Sequence, residues 1–297
     1  MKGQQTSPSH EKITVFDGIQ PFINFWQHAA DGSPQRIAAQ WQADYHDRLP
    51  EPVRRSLRRH RFPDDLERAV PKMTTAVEEL AERRDAVTLA VREATRRYAD
   101  LLDYEAAPFQ LVTLVGAFAA DGSMEWNEGQ ATLLVAVEAL ESIAQADILV
   151  RHEVAHVIHF QLLADDDTWS VGDALFEEGL ATTLSGWGTD VSDGTLCAAG
   201  RTTTWQGERV DDWLARCEAS WPAIRDRLLV DFRSGDDTAY ADLFLGGSGT
   251  SGFPSRAGYY AGLRLVRCLA DDTPWPELVR WDRATARSKM LTTLRDG

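Results

Sequence analysis

From Leu66 to Leu101 apolar residues recur at steps of three and four: Leu66, Val70, Met73, Val77 and Leu80, then Val87, Val91, Ala94, Tyr98 and Leu101. This is the period of a helix with one buried face. It commits residues 63–104 to helix, with Pro71 as a first-turn position or a kink. Two shorter stretches before it, PFINFWQHAADG and QRIAAQWQADYHDRL, also read as helices with aromatic anchors, so residues 14–105 are expected to form an all-helical N-terminal part. The period then breaks. FQLVTLVGAFAADG and GQATLLVAVEAL have strand character, and the link between them, AADGSMEWNEG, is rich in turn formers. Beyond residue 150 helical patterning returns. The expected class is α+β, mostly α: a helical N-terminal part over 14–105, then a part over 106–297 with a small β-sheet packed against a long central helix.

That central helix carries the chemistry. RHEVAHVIHF, residues 151–160, holds three of the chain's seven histidines. Asp147 is the expected N-cap of a helix over 148–163. His152 and His156, four apart, project from one face about 6 Å apart along the axis at a rise of roughly 1.5 Å per residue. Two imidazoles so placed can reach one zinc ion. Glu153 lies about 100° around the helix from His152, beside such an ion rather than bound to it. A carboxylate there can take a proton from a water held at the metal. H-E-x-x-H therefore has a mechanical reason for its spacing, but it also occurs on ordinary helices, and a catalytic zinc needs a third protein ligand. In the pattern H-E-x-x-H-x-x-G-x-x-H that third ligand is a histidine. Here the corresponding positions hold His159 and Leu162, so that pattern fails.

DALFEEGLATTLSGWG offers a better third ligand. Glu178 follows His156 after 21 residues, on an expected helix over 171–185 whose face also carries Ala174, Ala181, Thr182 and Ser185. Small side chains there would let this helix come close to the first, with Thr182 able to support the metal shell. Glu177 could serve instead if the helix were rotated. His159 reads either as a support of the site or as a core histidine.

HEVAH followed by EEGLA resembles the gluzincin zinc metallopeptidases. The later SRAGYYAGLRLVRCLA and PWPELVRWD resemble a bacterial group of predicted zinc-dependent proteases of otherwise unknown function. The resemblance spans roughly residues 105–285 and is sharpest at the zinc motif. It implies one Zn2+ per chain held by His152, His156 and Glu178, with Glu153 as general base. Through the Gly258–Gly262 segment it also implies Tyr259 or Tyr260 near the site. The implied activity is hydrolysis of a peptide or protein substrate.

Other features weigh less. A net charge of −15 argues against nucleic acid and anionic membranes as partners. No leader or membrane span is evident, and Cys197, Cys217 and Cys268 form no C-x-x-C pair, so a reduced, cytoplasmic setting is expected; the oligomeric state is not readable. The basic run RRSLRRHRF reads as a solvated face rather than a phosphate site. Asp190 reads as a turn residue. FLGGSGTSGFPSRAGYY lacks the G-K-[ST] ending of a phosphate loop and could form a flap ending in Arg256, a candidate oxyanion or carboxylate contact. GQATLLVAVEAL is either a cleft edge open to an extended peptide or an internal strand. Two further classes stay open: a zinc-binding regulatory or peptide-binding protein with little turnover, and a helical interaction protein with a fortuitous motif.

Overall fold

In the computed structural model, residues 12–59, 66–127, 129–163, 169–204, 206–246 and 252–297 are described. Most of them are helical, with one small sheet, so the class is α+β, mostly α. The chain forms two compact units: residues 12–92 with Glu105–Leu140, and Glu93–Tyr104 with Glu141–Gly297. Among the described residues no helix is long and apolar enough to cross a membrane.

The first unit holds the sheet, of strands β1 (Ile13–Asp17), β2 (Phe109–Leu114), β3 (Gly122–Asn127) and β4 (Gln130–Ala136). Their order is β1-β2-β4-β3, with β1, β2 and β4 parallel and β3 antiparallel to β4. The inner strands are nearly continuous in buried residues, as the apolar runs FQLVTL and QATLLVA require of strands covered on both faces. Two expectations are corrected here. Residues 14–105 are not all helical, because β1 pairs along β2; and the supposed turn-rich link contains β3. Both are edge strands, which carry exposed and polar residues and so lack the apolar signature. Since β4 lies between β2 and β3, it is the internal strand of the two readings and offers no edge to an extended peptide.

Helices Ile19–Ala29 and Pro34–Gln40 occupy the expected stretches. Phe22, Trp41 and Tyr45 make an aromatic core with ring centroids 5.0 Å apart for Phe22–Trp41 and Phe22–Tyr45. The Tyr45 hydroxyl accepts the Val115 N–H at 3.0 Å, at the end of β2. Beyond it the chain turns through Ala117 and Phe118, both in the left-handed region (φ 54° and 61°). The buried Glu138 carboxylate holds this turn, its Oε1 accepting from Gly116 N at 2.9 Å and Phe118 N at 2.8 Å. The start of the long helical region at Pro63, the second half of the basic run at 54–62, and 247–251 of the Gly/Ser-rich loop lie outside the described residues. Within the basic run, Arg54 pairs with Glu51 at 2.8 Å.

The second unit is built on three helices: Ile143–Leu162, Val171–Ser185 and Ala257–Asp272. The first starts a turn earlier than expected. Ser142, not Asp147, is its N-cap, the Ser142 hydroxyl accepting from Gln145 N at 3.1 Å while the Gln145 side chain accepts the Glu141 N–H. S-x-x-Q is a capping signal. Asp147 instead pairs with Arg151 one turn on, at 2.6 Å. The second helix has the expected bounds, capped by Ser170. It packs against both of the others, and at Gly179 its main chain meets that of the third. A Cβ on Gly179 would lie 2.5 Å from the carbonyl carbon and oxygen of Gly262, and one on Gly262 would lie 2.8 Å from the Gly179 Cα. The glycines of E-G-x-A and G-Y-x-x-G are thus the two sides of one crossing.

Candidate metal centre

Three side chains converge between the first two helices. His152 Nε2 and His156 Nε2 are 3.1 Å apart, and Glu178 Oε2 lies 3.2 Å from the former and 3.5 Å from the latter. Among the described residues these three form the one group of its kind able to hold a metal ion, with ligand atoms all within 4.8 Å of one another. The spacing can be tested against an ion. Two ligands about 2.05 Å from a tetrahedral zinc are separated by roughly 3.3 Å. Two imidazole nitrogens and a carboxylate oxygen at 3.1–3.5 Å match that, and the donor set is one that catalytic zinc takes. The residues present fit the metal.

Electrostatics agrees with the geometry. Burial opposes charge on both His156 and Glu178, yet each is stabilised by the other. Glu178, with smaller help from Glu153 and Glu177, lifts His156 to about 9. The charge of His156 and the hydrogen bonds from both rings hold Glu178 well below the usual carboxylate range. Glu153 is 7 % exposed and follows His152 directly, so it sits at the flank of the group. Its charge is felt by His156 and by Tyr259.

The other candidates separate clearly. Tyr259 stands beside the histidines, its ring centroid 6.3 Å from that of His152. Arg256 Nη2 donates to its hydroxyl at 3.3 Å; Arg256 is itself held in the left-handed region, at φ 62°. Burial and the charge of Glu178 push the Tyr259 phenol up against the opposing pull of Arg256, so it keeps its proton. Tyr260 points elsewhere, edge-on to Trp221 at 6.0 Å and hydrogen-bonded to Arg264. Glu177 faces away from the histidines, toward Arg283 at 3.6 Å. His159 is 2 % exposed, edge-on to Phe176 at 5.6 Å, and neither ring nitrogen has a hydrogen-bond partner in the protein. Burial, aided by the charges of His156 and Arg283, lowers it to about 3; it is a neutral core imidazole. Thr182 is fully buried with its hydroxyl unpartnered, and Asp190 is an exposed loop residue.

Sequence reasoning missed Tyr240. Its ring stacks on Phe244 at 5.2 Å and meets Trp169 edge-on, also at 5.2 Å. Phe244 in turn meets Tyr259 edge-on at 5.7 Å. Burial and then the charge of Glu178 raise the Tyr240 phenol, placing it in the field of the site. No motif in DTAY marks it.

The profile of a family described as predicted Zn-dependent protease (DUF2268) matches residues 127–286, more than half of the chain. The chain belongs to that family. The DUF2268 match covers the whole His152–His156–Glu178 group and Tyr259, and it bears out the resemblance to the predicted zinc-dependent proteases. Its boundary leaves out β1, β2, the helices between them and all but the last residue of β3. No curated protein and no solved structure matches the chain.

Proposed function

We propose that this chain is a zinc metallopeptidase that hydrolyses peptide bonds in peptide or protein substrates, with His152, His156 and Glu178 as its metal ligands and Glu153 as its general base. The observation that carries the reading is the convergence of two imidazoles and a carboxylate at tetrahedral ligand spacing, with a buried glutamate on the adjoining position. His152, His156 and Glu178 would hold the zinc, which when bound would supply a Lewis acid to polarise a carbonyl and lower the pKa of a water to about 7. Glu153 accepts the proton of the attacking water at its carboxylate and returns it to the leaving amine nitrogen. Tyr259 donates its hydroxyl hydrogen to the carbonyl oxygen as negative charge grows there. Arg256 assists by occupying a lone pair of that hydroxyl, which leaves its hydrogen to point at substrate.

Glu153→Gln separates this mechanism from simple metal binding. The purified variant is expected to hold one zinc per chain by metal analysis and to lose at least about a hundredfold in peptide hydrolysis, within the usual 10²–10⁴ range for general acid–base catalysis. Hydrolysis by the variant at near wild-type rate would sink the mechanism. A wild-type protein that binds zinc but cleaves nothing in a peptide library would leave the regulatory or peptide-binding reading in its place.

A further inference from the structure

Two adjacent glutamates, Glu177 and Glu178, sit on one helix, and both are largely buried. Successive helical residues differ by about 100°, so a rotation of the helix by that much would exchange them at the histidine pair. Charge and chain length are the same for both; something outside the pair must decide between them.

The deciding contacts lie on helix Arg283–Asp296. Asp173 and Glu177, one turn apart, face Arg287 and Arg283, also one turn apart, in antiparallel order. Arg287 Nη1 is 3.4 Å from Asp173 Oδ2 and Arg283 Nη2 is 3.6 Å from Glu177 Oε1. Side-chain exposure is 1 % for Asp173 and 10 % for Glu177. A carboxylate that deep is costly unless a cation stands beside it. The two rungs therefore hold one face of the Val171–Ser185 helix toward the C-terminal helix, and Glu178, about 100° around, is left facing His152 and His156. Ser170 adds to the lower rung by donating to Asp173 Oδ2 at 2.6 Å.

We propose that Arg283 is a positioning residue for the metal centre: by engaging Glu177 it fixes the rotation of the glutamate helix, so that Glu178 alone meets the histidine pair. This rests on the zinc reading above. Arg283 touches neither metal nor substrate in this role, and its effect passes through Glu177.

The test is the zinc dissociation constant of the full chain, measured by competition with a chromophoric chelator, with thermal unfolding recorded on the same samples. Arg283→Met keeps an unbranched stem and removes the cation. It is expected to weaken zinc ten- to hundredfold, the usual cost of losing a residue that orients a metal ligand. Arg283→Met combined with Glu177→Gln removes the competing carboxylate as well, and is expected to bring the constant back to within about threefold of wild type. A role limited to packing would not be rescued in this way. An unchanged constant in Arg283→Met, or an equal loss in the double variant, overturns the proposal. Should Arg283→Met not fold, Arg283→Lys and the double variant decide: both are expected to stay within about threefold of wild type, and a loss above tenfold in either overturns it. Failure of the underlying reading looks different, because the wild-type chain would then hold no zinc at all.

Discussion

Glu178 and Glu138 are both buried carboxylates that accept hydrogen bonds, yet the protein treats them in opposite ways. Glu178 stands between two imidazoles on regular helices and is held far into its ionised form. Glu138 meets only neutral main-chain N–H groups in a turn, and burial pushes it up to about 7 despite the hydrogen bonds from Phe118 and Gly116, with the charge of Asp121 adding to the rise. At Glu138 the main-chain hydrogen bonds do not offset burial, whereas at Glu178 the charge of His156 adds to the hydrogen bonds and outweighs it. The same difference separates a centre suited to a divalent metal from a carboxylate that braces a turn.

The comparison breaks most severely if one imidazole is removed. His156→Ala takes away a proposed ligand and a cationic partner of Glu178 together, and is expected to abolish stoichiometric zinc binding in metal analysis of the purified protein. A variant that still holds one tight zinc would remove His156 from the centre. Glu138→Gln probes the opposite pole. With a folded pKa near 7 against about 4.5 unfolded, the folded state holds a proton that the unfolded state has lost between those values. The Glu138 contribution to stability is therefore expected to fall as pH rises from about 4.5 to about 7 and to level off above. The difference in unfolding free energy between wild type and Glu138→Gln should change across that window by on the order of 3 kcal/mol. Parallel denaturant curves for the two proteins across the window would refute the raised pKa.

Smaller effects test the frame that holds the helical site. Gly179→Ala forces a Cβ against the Gly262 carbonyl and is expected to cost about 1–3 kcal/mol, with weaker zinc binding because Glu178 is the neighbouring residue. Ser142→Ala removes the cap of the histidine helix and should lower stability by about 1 kcal/mol while leaving the zinc stoichiometry intact. Loss of zinc in Ser142→Ala would show that the cap, and not the helix packing, sets the histidine geometry.

The two regions also differ in how far they can be read from sequence. The candidate metal centre is legible because its parts obey helical spacing: His152, Glu153 and His156 lie about one turn apart, and Glu178 opens a second short motif on a helix whose bounds come out as expected. Glu138 carries no such mark. Its role depends on a turn of two left-handed residues, Ala117 and Phe118, whose types do not call for that conformation, and on burial that only tertiary packing creates. Between these extremes, the sequence expectation starts the histidine helix at Asp147, whereas the helix begins at Ser142, whose cap is completed by Gln145. Strands β1 and β3 escaped because an edge strand need not be apolar. Tyr259 and Tyr260 were indistinguishable as neighbours in sequence. Their separation, one toward His152 and the other toward Trp221, follows from about 100° of helical rotation.

The crossing of Gly179 and Gly262 has a consequence for how such a chain can change under selection. When a side chain outgrows its place in a core, a neighbour can usually shrink to make room. Here the atoms that a methyl group would strike are main chain on both sides, and main chain has nothing to give up. Compensating substitutions are closed off at these two positions, so sequences that keep this crossing can drift along both helices and still carry glycine at each.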